Sequence, residues 1–192
     1  MEFFNQSETK ALADMAFDAP IKHKDGRYFI AAKCGERIMC KFDVESQGCV
    51  GNDSIDLKLD TQGARFIKDA DDAILGACKE FKSEWFPGKD VSDEQLEDNV
   101  SPSLKRNSKV LKVRLSNAFA LYSSKKEIMD RSEIAEGQQL KAIIQLAGIW
   151  FTKSRFGISW LLVQGMLPAQ ILHAECMFEE DNITDNVFPS EA

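Results

Sequence analysis

Hydrophobic and polar positions alternate in short runs along most of this chain, and one stretch dominates the pattern. Residues 140–164, LKAIIQLAGIWFTKSRFGISWLLVQ, read as two β-strands joined by a basic turn. The first run, 140–151, ends in Trp150-Phe151, and the second, 156–164, opens on Phe156 and carries Trp160. Thr152-Lys153-Ser154-Arg155 separates them, within the two to five residues usual for a hairpin loop. Apolar residues on both faces predict a strand pair near the middle of a sheet, buried on at least one side.

The remaining pattern supplies shorter elements. Residues 27–34 and 37–44 read as two strands with Gly35-Glu36 as the turn between them. In the second of these, Ile38, Cys40 and Phe42 share one face and Arg37, Met39 and Lys41 the other. Residues 46–54 have loop composition, and 55–60 (IDLKLD) alternate strictly as a third strand. Over 64–86 the apolar positions Ile67, Ala70, Ile74, Ala77, Phe81 and Trp85 step by three or four, one face of a helix stopped by Pro87-Gly88. Cys78 and Trp85 read there as packing residues, and Asp71-Asp72 as solvent-facing. Ser92 with Gln95 is the pattern of a capping box for a short helix through Asn99. Residues 109–115 (KVLKVRL) put Leu111, Val113 and Leu115 on one face and Lys112 and Arg114 on the other, and 119–122 continue the strand after a turn at Ser116-Asn117. Residues 8–17 suggest a short helix ended by Pro20.

The predicted chain is mainly β with one prominent helix. Its order, β-β-β-α-β-β, is that of an OB-fold-like five-stranded barrel with extensions. An α+β sandwich fits the same string. The expected organisation is an N-terminal extension (1–25), a single OB-like domain (26–172) and an acidic C-terminal tail (173–192).

Charge changes this picture only when divided along the chain. The net charge is −7, but residues 101–155 carry 11 basic and 4 acidic side chains, whereas 50–100 carry 6 and 13. Residues 156–192 carry no Lys or Arg and 6 acids. A basic section therefore feeds into the aromatic hairpin and an acidic one follows it. The five cysteines form no CxxC and the two histidines, His23 and His173, lie far from any cysteine cluster, so a zinc site or disulfide framework is not expected. Neither a signal peptide nor a membrane span is expected, which implies a soluble intracellular protein. No Walker loop, GxSxG or HExxH occurs, and no catalyst or cofactor is expected.

The segments 55–60, 78–86, 109–115 and above all 140–164 carry a resemblance. The Gly-Ile-Trp-Phe, basic turn and Phe-Gly-Ile-Ser-Trp of the hairpin are similar to the single-stranded DNA-binding proteins of large nucleocytoplasmic DNA viruses. That family is distantly similar to the OB-fold single-stranded DNA-binding proteins of tailed phages. The resemblance implies an OB fold, sequence-tolerant and non-catalytic binding of single-stranded DNA, and a place in viral replication, repair or recombination, in the host cytoplasm (viral replication compartment) or nucleus. It also implies an acidic tail that recruits replication proteins, with Phe178 and Phe188 as apolar anchors among Glu179, Glu180, Asp181 and Asp185.

Sequence-independent binding needs cations along the backbone and aromatic faces for bases. The candidate phosphate contacts are Lys112, Arg114, Lys141, Lys153 and Arg155, with Lys105, Arg106 and Lys109 just upstream. The candidate stacking residues are Trp150, Phe151, Phe156 and Trp160. Neighbours on a strand face opposite ways, so one of Trp150 and Phe151 belongs to the core. Tyr28, Lys33, Arg37 and Lys41 are further candidates, since OB grooves draw on early strands. A homo-oligomer is compatible with this reading, and an RNA binder would use the same residues. The alternative function is a β-barrel protein-interaction subunit of a replication or transcription assembly, with the hairpin as its interface.

Overall fold

The computed structural model describes residues 3–5, 10–49, 53–86 and 90–169. In chain order, these residues form β1 (Phe3–Asn5), α1 (Lys10–Ala13), β2 (Ala16–Phe17), β3 (Ile21–Lys22), β4 (Tyr28–Lys33) and β5 (Ile38–Cys49). Then come β6 (Ser54–Leu59), α2 (Thr61–Glu80), α3 (Lys82–Trp85), α4 (Asp93–Asn99), β7 (Val110–Tyr122) and β8 (Ile128–Met129). A 3₁₀ turn at Arg131–Glu133 leads into β9 (Gln139–Phe151) and β10 (Phe156–Met166). The expected tail, with Phe178, Glu179, Glu180, Asp181, Asp185 and Phe188, lies outside the described residues.

Five long strands are hydrogen-bonded in a ring, in the order β5-β6-β7-β10-β9 and back to β5. All neighbours are antiparallel except β7 and β10. The result is a mostly β domain with an OB-like arrangement of strands. Alternation sends Phe42, Val44, Ile55, Leu57, Leu111, Val113, Ile144, Leu146 and Leu162 into the interior, where each is almost wholly shielded. Burying each such side chain contributes about 1.5–3 kcal/mol.

Helix α2 packs on this interior through Phe66, Ile67, Ala70, Ile74 and Cys78, the predicted stripe, and the Phe66 ring meets Phe42 at 6.0 Å. It starts earlier than the periodicity suggests, because the Asp60 carboxylate accepts from the Gly63 N–H at 2.6 Å and caps it. It also ends earlier, at Glu80; Phe81 interrupts it before α3, so 64–86 is not one helix. Ser92 and Gln95 form the expected capping box at α4.

Strand pairing, strand order and the environment of Asp71 also differ from expectation. Residues 27–34 and 37–44 are strands, but they do not form a hairpin at Gly35-Glu36. Both lie along the same edge of β9, β4 opposite Gly148–Phe151 by register and β5 opposite Gln139 to Leu146, as one interrupted strand. Alternation marks a strand without naming its partner, and β9 is long enough to take both. Because β4 therefore stands outside the ring, the helices follow the second ring strand rather than the third. Asp71 is not solvent-facing: its carboxylate accepts the Ser103 N–H at 2.9 Å and the Ser103 hydroxyl at 2.6 Å. Burial pushes its pKa up.

The N-terminal segment joins the sheet, with β1 parallel to β5 and both β2 and β3 paired to β4. Strand β5 runs on to Cys49 through residues whose composition suggested a loop. The turn expected at Ser116-Asn117 is instead an irregularity within β7: Leu115 pairs with Leu162, and Ala120 with Gln164.

Candidate nucleic-acid interface

The aromatic hairpin forms as predicted, with Phe156 opposite Phe151, but most of its rings face inward. Phe151, Phe156 and Trp160 are 6%, 3% and 3% exposed. Phe151 stacks on Phe156 at 5.6 Å and meets Trp85 and Phe86 edge-on. Trp160 donates its indole N–H to the Ser103 hydroxyl at 2.8 Å, the same hydroxyl that donates to Asp71. These three residues offer no open face to a base, which corrects their assignment as stacking platforms. The reason is parity: each points into the ring, where burying a large ring outweighs leaving it in water. Trp85, expected in the core, is half-buried between Phe17, Phe81 and Phe151.

Trp150 faces outward and is half-buried, its indole N–H bound to the Ile158 carbonyl at 3.2 Å. Its ring lies over Gly157, where a Cβ would stand 3.0 Å from the indole and 2.9 Å from the Ser101 carbonyl. The turn beyond is held by Thr152, whose N–H and hydroxyl both donate to the Arg155 carbonyl. Lys153 and Arg155 are exposed there. Tyr28 is 43% exposed, with the Lys22 ammonium 5.7 Å from its ring centre.

The outer face of the ring is more open at the other end of β9. Register aligns Tyr122, Met166, Lys141 and Asp43 across β7, β10, β9 and β5. A second outward row is Ala120, Gln164, Ile143 and Lys41, and a third is Arg114, Leu161, Gln145 and Met39. Between the first two rows, Leu121, Gly165, Ala142 and Phe42 face inward and are buried. Lys141, Lys41, Lys112 and Arg114 are all exposed. Four residues of β9 separate the first row from the third, about 13 Å, while Trp150 lies about 30 Å from Lys141. The first two rows, apart from Ala120, line a groove of about 620 Å³, which Gln62 at the start of α2 also borders.

The other cationic candidates are divided. Arg37 and Arg106 are exposed. Lys33 is paired with Asp18 at 2.5 Å, Lys105 with the nearly buried Asp56, and Lys109 donates to the Thr61 hydroxyl at 2.7 Å. Tyr122, Ile143, Gln164 and Met166 were missed. Only the place of Tyr122, ending a strand in the basic section, could have marked it.

Burial pushes the Cys40 and Cys78 thiols up to about 12, so both stay protonated at neutral pH. Among the described residues no group of three or more His, Cys, Asp or Glu side chains is placed to hold a metal ion. No helix among them is long and apolar enough to cross a membrane.

Comparison with known proteins gives two kinds of likeness. The fold is distantly similar to the single-stranded DNA-binding protein from bacteriophage Enc34, with a TM-score of 0.44 and 15% identity over 79% of this chain and 89% of that one. It is similarly distant from gp2.5, a single-stranded DNA-binding protein encoded by bacteriophage T7, with a TM-score of 0.44 and 14% identity over 81% of this chain and 100% of that one. No curated protein matches the sequence. Residues 47–180, well over half of the chain, match the family of unknown function DUF5871, and the chain belongs to that family.

Proposed function

We propose that this chain is a non-catalytic protein that binds single-stranded DNA without sequence preference. Its binding face is the outer surface of β7, β10, β9 and β5, on a five-stranded OB barrel. The observation that carries this reading is the gathering of Lys41, Lys112, Arg114 and Lys141 on one exposed face beside an open groove. Lys41 and Lys141 border the groove, and Lys112 and Arg114 are exposed on β7 of the same outer face, the Arg114 row about 13 Å from the Lys141 row. A flexible single strand can follow such a curved track, and its unstacked bases can enter a groove that duplex DNA cannot use. The net negative charge elsewhere limits contact to this face. The resemblance to proteins of large nucleocytoplasmic DNA viruses makes viral DNA replication, repair or recombination the setting, with the acidic tail recruiting replication proteins.

Fluorescence anisotropy of a labelled dT30 strand with the full chain tests this reading, at low and moderate salt and with duplex competitor. Binding that weakens with salt and resists the duplex is expected. Arg114→Ala with Lys141→Ala should reduce the slope of log K against log salt by about 1.4, at about 0.7 per phosphate contact on single strands. No binding at low salt overturns the proposal and turns attention to a protein partner.

A further inference from the structure

We infer that the groove at the start of β9 is a subsite for a single nucleotide, with Tyr122 as the face on which its base stacks. This rests on the single-strand-binding reading and adds the residue that holds a base. Tyr122, Met166 and Lys141 are direct cross-strand neighbours on β7, β10 and β9, with strand axes about 4.8 Å apart. The Tyr122 backbone therefore stands about 10 Å from that of Lys141, with Met166 between them. Ile143 and Gln164 form the next outward row, and Lys41 closes it on β5. Lys41 and Lys141 are diagonal neighbours, a separation of about 7–8 Å.

Each part of a nucleotide meets complementary chemistry. The half-buried ring of Tyr122 and the apolar side chains of Ile143 and Met166 suit the faces of a base. The two ammonium groups suit the phosphates on either side of it. The Asp43 carboxylate, directly across from Lys141, shares this groove, so the phosphates lie on the side of the two lysines away from it. Gln164 can both donate and accept, so it satisfies the edge of any base and selects none. The three tryptophans are excluded: Trp160 is buried, the Trp150 indole is committed to Gly157 and the Ile158 carbonyl, and Trp85 packs among Phe17, Phe81 and Phe151 at the turn end. Phe42 also borders the groove but is 2% exposed, which leaves Tyr122 as the aromatic face available to a ligand.

The test compares wild type, Tyr122→Ala and Tyr122→Phe, using dT30 and a 30-mer of the same backbone without bases. Thermal unfolding verifies that each variant is folded. Tyr122→Ala should weaken dT30 binding roughly 5–150-fold, corresponding to about 1–3 kcal/mol of stacking, with an unchanged salt slope. Tyr122→Phe should bind like wild type, and all three should bind the baseless strand alike. Intrinsic tryptophan fluorescence should change little on binding, since Trp160 is shielded and both Trp150 and Trp85, which packs on Phe151, lie at the far end of β9 from the groove. Wild-type dT30 affinity in Tyr122→Ala overturns the inference while leaving single-strand binding intact. An equal loss on both strands also overturns it, making Tyr122 a structural residue. Failure of wild type to bind dT30 at all removes the underlying reading instead.

Discussion

Near its turn end β9 carries Trp150 and Phe151; at its start it carries Lys141 and Ile143. The two ends are about 30 Å apart on one strand and share β10 as a neighbour, yet they use their side chains differently. At the turn end, Phe151 is sealed among Phe156, Trp85 and Phe86, and Trp150 lies flat over Gly157. That end is closed by its own side chains. At the start, Lys141, Tyr122 and Lys41 border an open groove, and among the described residues no ring fills the space between them. Aromatic content therefore marks where the hairpin is held together. The open surface lies where one aromatic and two cations are left partly exposed.

This contrast can be broken most severely at Gly148, on the turn half of β9. Its φ is +150°, and an added Cβ would come 2.1 Å from the Ile30 carbonyl oxygen and 2.9 Å from Ala31 Cα. Backbone cannot swing aside as a side chain can. Gly148→Ala should cost about 4–5 kcal/mol, separating β4 from β9, and unfolding in urea measures it. A variant as stable as wild type would mean that β4 is only loosely docked.

Trp160→Ala comes next. Loss of a buried indole and its bond to Ser103 should cost about 3–5 kcal/mol, while the folded fraction keeps its affinity for dT30. The paired readout is thermal unfolding and anisotropy. If affinity collapses with the melting temperature unmoved, the closed end is the functional one and the comparison is reversed.

Asp43→Asn sharpens the picture at the open end. Asp43 is exposed and stands directly across from Lys141, setting an acid within the cationic face. Its neutralisation should tighten dT30 binding about 1.5- to 5-fold, from the roughly 0.2–1 kcal/mol of an exposed charge pair. Unchanged or weaker binding would place the strand elsewhere.

The smallest effect concerns Asp71, which ties α2 to Ser103 and so to Trp160. Burial raises its pKa above the ordinary 3.8, with the Ser103 hydrogen bonds opposing the shift. The folded state then binds its proton more readily than the unfolded chain. The stability from this protonation is fully present below 3.8 and is lost as pH rises through the folded value. Wild type should therefore gain on Asp71→Asn as pH falls through that window, measured by urea unfolding at a series of pH values. A flat difference would mean that the carboxylate is solvated.

Local pattern made much of this legible. The turn at 152–155, the outward Lys112 and Arg114, the buried stripe of α2 and the capping box at Ser92 are each set by neighbours within a few residues. Other features lay beyond its reach. The Gly35 region looked like a hairpin because two alternating runs flank a glycine, but hydrogen bonding to β9 decided the pairing. Asp71 looked solvated because nothing nearby in sequence signals Ser103, 32 residues away.

By itself, then, the sequence determined the cores of the long strands and the main helix, which parity of those strands is apolar, and that positive charge gathers in the section leading into the hairpin. These follow from periodicity and composition, which act over one or two turns of chain. Only the tertiary structure decided which strand each edge would meet, that three hairpin rings would become core, and that Tyr122 would share a groove with Lys41 and Lys141. The physical reason is that burial and cross-strand register are properties of pairs. Residues 41, 122 and 141 become neighbours only when β10 lies between β7 and β9, and β5 closes the ring on the far side of β9.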